Sequence, residues 1–70
     1  MHENYIKHTL QLLENVQDST ANIHDARGYI SRIKGWQQLF YKYPERLDYK
    51  IDLENTVRDA RKFLEALCQQ

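Results

Sequence analysis

Apolar residues recur at every third or fourth position along almost the whole chain, and this constrains the fold more than any other feature. A spacing of three and four is the period of an α-helix with one buried face. In the first segment Ile6, Leu10, Leu13, Gln17 and Thr20 keep that spacing, with Leu12 and Val16 broadening the stripe, so a first helix is predicted over residues 3–17. Ile23, Ala26, Ile30, Ile33, Gln37 and Phe40 define a second helix over 20–41. Tyr49, Leu53, Val57, Ala60, Leu64 and Leu67 define a third, running to about Gln69. Glu54 and Arg58 support it as an i,i+4 pair in the favourable order, and Arg61 and Glu65 pair in the reverse order. Leu47 to Ile51 alternates like a strand but is too short and isolated to build a sheet.

Two breaks divide the stripes. Asp18-Ser19-Thr20-Ala21-Asn22 is rich in residues whose side chains accept from free helix N–H groups, so a turn or kink is expected there. No Pro or Gly forces it, and fusion of helices 1 and 2 is the alternative. Pro44 is the only proline. It biases Tyr43 away from helical dihedrals and can serve as a first helical residue, so helix 3 is expected to begin near Pro44-Glu45. There Glu45 would complement the positive helix end. The expected fold is all-α: one domain, residues 1–70, forming a small antiparallel three-helix bundle. If helices 1 and 2 fuse, a long helical hairpin results, which has too little core alone and must dimerise.

Ala21, Gly28 and Gly35 are spaced by seven and lie opposite the Ile stripe. Each glycine costs about 1 kcal/mol relative to Ala inside a helix. A small-residue seam that lets another helix approach is one explanation. The other is that Gly28 ends a helix and Gly35 is incidental.

A chain of 70 residues and 8.5 kDa buries only about 60% of its unfolded surface, which leaves little room for a deep catalytic pocket. His2, His8 and His24 show no ligand spacing, and there is no Cys cluster, so no metal is expected. His24 beside Asp25 is more simply a solvated pair, because sequence neighbours do not face each other on a helix. Cys68 lies near a helix C-terminus, whose dipole disfavours a thiolate. No Gly-rich phosphate loop is present, and Asp48 and Asp52 read as solvated carboxylates. The chain is therefore expected to be no enzyme and to need no cofactor. A lone Cys implies no oxidising compartment, and no secretory signal or apolar run of ~20 residues is seen. A cytoplasmic protein that does not engage membranes is the expectation.

The informative asymmetry is local. The formal net charge is zero, yet residues 27–50 hold six basic and two acidic side chains. The same stretch holds six of the eight aromatics. Aromatic residues and Arg dominate binding hot spots because they offer large rigid area with a polar tip. Phe40 and Tyr49 sit on the core stripes, and Trp36 can close the core. Leu47 and Ile51 lie off the stripe, either under helix 2 or exposed. Trp36, Tyr41, Tyr43, Arg46, Leu47 and Lys50 form the candidate partner-binding corner around Pro44. The function this suggests is a non-catalytic protein-binding module, a regulator, inhibitor or adaptor docking on a larger protein. The alternatives are a nucleic-acid-binding regulator of helix-turn-helix type and a structural oligomer subunit. Zero net charge and a turn without glycine weigh against nucleic acid. Leu12, Val16, Leu47 and Ile51, outside the narrow stripes, point to a homodimer.

Overall fold

The structure, a computed structural model, describes residues 3–69. Three helices, α1 (Glu3–Glu14), α2 (Thr20–Lys42) and α3 (Leu47–Cys68), pack against one another in an elongated bundle of 40 × 18 × 17 Å. Among the described residues there is no strand. The ring pairs Tyr29–Phe63 and Trp36–Tyr49 show that α2 and α3 run antiparallel. Glu3 meets Tyr41, and Arg61 meets Thr9, so α1 runs antiparallel to α2 and alongside α3.

The break between α1 and α2 is a real cap. Ser19 is extended and its hydroxyl accepts from the Asn22 N–H at 3.0 Å. Asn22 in turn donates to the Asp18 carboxylate at 3.0 Å. With these residues recruited to start α2, α1 ends at Glu14 rather than residue 17. Its last turn tightens, as Val16 N–H donates to the Leu13 carbonyl. Gln17 therefore lies exposed in the connection, and Thr20 begins α2. Helices 1 and 2 are separate, which removes the long-hairpin alternative.

At the second break Tyr43 leaves helical dihedrals, as a residue before proline must. Helix α3 starts later than expected, at Leu47. The Arg46 N–H donates to the Tyr43 carbonyl at 3.0 Å and closes a four-residue turn with Pro44 second. That is a favoured turn position for proline, so Pro44 shapes the turn instead of opening the helix. Arg46 is the extended N-cap residue, and Asp48, not Glu45, sits in the first turn.

The stripes converge as expected. Ile6, Leu13, Ala26, Ile33, Leu53, Val57 and Ala60 are buried. Leu10, Val16, Ile30, Phe40 and Leu64 pack partly buried against them. Among the described residues one buried side chain is polar: Thr9 on α1. Its hydroxyl donates to the Tyr5 carbonyl and accepts from Arg61 Nε, each at 2.8 Å. The Arg61 guanidinium also stacks over the Tyr5 ring at 4.2 Å and donates to His8 Nδ1 at 3.2 Å. Arg61 thus fastens α3 to α1.

The seam of Ala21, Gly28 and Gly35 plays no part inside the bundle. All three are exposed, and a Cβ added at either glycine would meet nothing within 4 Å. Gly28 does not end a helix either, since α2 continues to Lys42, and neither glycine has a positive φ.

Candidate protein-docking end

The Pro44 turn brings the end of α2 and the start of α3 together, and the six sequence-predicted residues divide between two sides of that end. Trp36, Tyr43 and Arg46 gather around Tyr49. The Trp36 ring lies 5.9 Å from the Tyr49 ring and the Tyr43 ring 6.3 Å from it. The Arg46 guanidinium covers Tyr49 at 4.3 Å. Trp36 and Tyr49 are half-buried, so Trp36 does close the core, while Tyr43 is exposed with Lys42 over its ring at 5.4 Å.

Tyr41, Leu47 and Lys50 fall elsewhere. At about 100° per residue, Tyr41 turns from Trp36 toward α1. Its hydroxyl donates to Glu3 Oε1 at 3.4 Å. On α3, Lys50 and Leu47 likewise turn toward the α1 side, with Lys50 half-buried. Leu47 and Ile51 form an exposed patch, 67% and 54% accessible, instead of packing under α2.

Two participants were not singled out from sequence as surface residues. Tyr5, 45% exposed, shares a groove between α1 and α3 with Ile51, Asn55 and Arg58. Leu39 is exposed on the outer side of α2. With Tyr41, Tyr43, Leu47 and Ile51 they are the exposed large hydrophobic side chains among the described residues. All six belong to the same end of the bundle: the first turn of α1, the last turn of α2, the Pro44 turn and the first turns of α3. No local pattern could have placed Tyr5 there, because only the packing of α1 beside α3 does so.

The electrostatics of this end are local. Arg46 Nε and Nη2 donate to the two Asp48 carboxylate oxygens at 3.0 and 2.7 Å. This fork holds the Asp48 carboxyl below the usual carboxylate range and raises Arg46 further above its ordinary value. It is the one ion pair among the described residues.

At the opposite end an apolar groove of about 580 Å³ opens between the last turns of α3 and the chain leaving α1. Leu12, Val16, Leu64, Leu67 and Cys68 line it. It exists because α1 has 12 residues against 22 for α3, so the end of α3 is covered only by the connection. Two of the four apolar residues outside the narrow stripes, Leu12 and Val16, are accounted for here.

No three His, Cys, Asp or Glu among the described residues gather to hold a metal. His2 lies outside the described residues. Among the described residues no helix is long and apolar enough to cross a membrane. Compared with known proteins, the chain matches no family model, no curated protein sequence and no solved structure.

Proposed function

We propose that the chain is a non-catalytic, cytoplasmic protein-binding module that regulates, inhibits or adapts a larger protein by docking through the Pro44 end of the bundle. The observation that carries this reading is the segregation of exposed apolar area. Tyr5, Leu39, Tyr41, Tyr43, Leu47 and Ile51 all lie at one end. Exposed apolar area gathered at one end of a molecule costs solubility, and such area marks sites that a partner covers. Tyr43 and Arg46 belong to residue types that anchor interfaces, each able to contribute ~2 kcal/mol or more when desolvated. The antiparallel run of α2 along α3 also favours this reading over a helix-turn-helix, in which the two helices cross steeply.

The test is quantitative capture from the source cell with the wild type and with Tyr43→Ala, Arg46→Ala and Leu47→Asp. Each variant is first checked for unchanged helicity and melting temperature. A specific protein is expected to bind the wild type and to be lost with the variants. If it binds all three as before, the site lies elsewhere. If binding is to random DNA and falls steeply with salt, the nucleic-acid reading replaces this one.

A further inference from the structure

The face of the bundle opposite α1, where α2 and α3 lie side by side, is distinct from the Leu47–Ile51–Tyr5 patch. Along its groove run half-buried rings, Tyr29 against Phe63 at 5.4 Å and Trp36 against Tyr49. A shallow depression of about 310 Å³ opens beside the first pair, lined by His24, Asp25, Gly28, Tyr29, Arg32 and Phe63. Arg32 lies over the Tyr29 ring at 4.6 Å. Helical periodicity puts Asp25 and Arg32 on the outer edge of α2 here, and Asp59 and Lys62 on the outer edge of α3. All four are exposed, and none is ion-paired among the described residues.

The short turn from Tyr43 to Arg46 puts Lys42 at the end of α2 level with Leu47 at the start of α3, and counting away from it at about 1.5 Å per residue matches heights on the two antiparallel helices. Asp25 then stands level with Leu64, and Arg32 with Val57, so Lys62 and Asp59 each lie within one turn of the opposite charge on α2. Within one molecule these charges point outward side by side, on axes roughly 10 Å apart. Each helix therefore carries, within one turn of the same height, the charge opposite to that on its neighbour. A surface with this property complements itself under a two-fold axis parallel to the helices. That rotation lays α2 of one copy on α3 of the other and keeps every residue at its own height.

We propose that this α2/α3 face docks a second copy of the chain, with Arg32 facing Asp59 and Asp25 facing Lys62 across the interface, each pair formed twice. The product is an antiparallel four-helix core of two α2–α3 hairpins, with the α1 helices on the outside. The half-buried rings become its interior. Gly28, at the edge of the depression with nothing near its Cβ position, leaves room for the opposing Lys62. A face about 34 Å long and two helices wide covers on the order of 600 Å² per copy. This approaches the ~800 Å² per partner of stable complexes. A homodimer is thus drawn from a different surface than Leu12, Val16, Leu47 and Ile51; it takes in the Trp36–Tyr49 side of the Pro44 end, and the Tyr5–Leu47–Ile51 side stays open to a partner.

Sedimentation equilibrium on the full chain tests it. The wild type is expected at twice 8.5 kDa. Arg32→Glu alone and Asp59→Arg alone should each raise the dimer dissociation constant on the order of tenfold or more. The double variant Arg32→Glu/Asp59→Arg should restore it, and Leu47→Asp should leave it unchanged. Circular dichroism checks that each variant is folded. A wild type that stays monomeric at NMR concentrations overturns the proposal. So does a dimer indifferent to the single changes, a double variant that is folded but not restored, or a dimer broken by Leu47→Asp.

Discussion

Arg61 on α3 donates its Nε hydrogen to the hydroxyl of Thr9, the one buried polar side chain of the described core. The hydroxyl is satisfied twice, because it also donates to the Tyr5 carbonyl. Thr9→Val keeps the shape of the side chain but removes the acceptor, leaving the guanidinium facing a methyl group. The expected cost is about 1–3 kcal/mol, read as a lowered melting temperature. Thr9→Ser, which retains the hydroxyl, should cost less. Equal melting temperatures for Thr9→Val and the wild type would show that Arg61 does not fasten α1.

Core truncations should rank by burial. Leu13 and Leu53 are fully enclosed, so Leu→Ala at either should cost about 2–5 kcal/mol, enough to unfold a domain this small. Ile30 and Leu64 pack against the same core while partly solvated, and their truncation should cost less. Denaturant titration of the four variants checks the order.

Gly28→Ala and Gly35→Ala should each stabilise a monomer by up to about 1 kcal/mol. Both glycines lie in a continuous helix with open space at the Cβ position, and alanine loses less backbone entropy. A fall in thermal stability at low protein concentration would contradict the open environment.

Ser19→Ala removes the acceptor for the Asn22 N–H and should lower stability by about 1 kcal/mol. Ser19→Asp should preserve the cap.

The Arg46 fork lowers the Asp48 carboxyl below its ordinary value, so this group contributes stability above the unfolded carboxylate range. That contribution is lost as pH falls through the lowered folded value. Carboxyl NMR titration should show Asp48 shifting upward in Arg46→Ala. An unchanged titration would mean the fork does not persist in solution.

Where the sequence was legible, burial of one face had written itself into spacing. Ile6, Leu13, Ile33, Leu53 and Val57 announce the core because a helix repeats its inward positions every three or four residues. Ser19 and Pro44 announced the breaks, although not the last residues of each helix. At Pro44 the chain had two compatible uses for the same ring, turn former and first helical residue, and a hydrogen bond from Arg46 to Tyr43 decided between them. The docking end was half legible. Trp36, Tyr43 and Arg46 converge because they are near in sequence and joined by one turn. Tyr41 and Leu47 diverge from them because each added residue rotates a side chain by about 100°. Tyr5 and Thr9 were invisible, since their partners Ile51 and Arg61 are brought to them only by the return of the chain.

The shortness of α1 has a bearing on how the molecule comes together and comes apart. Twelve residues are too few for a helix to persist alone in water, so α1 acquires its shape only on arrival at the preformed α2–α3 hairpin. The sequence-local hairpin should then lead assembly, with α1 the last piece to lock and the first to leave. Each departure uncovers Ile33, Leu53 and Val57 to solvent. Aggregation during storage or overexpression would therefore set in at the rate of α1 release, well before the hairpin itself melts.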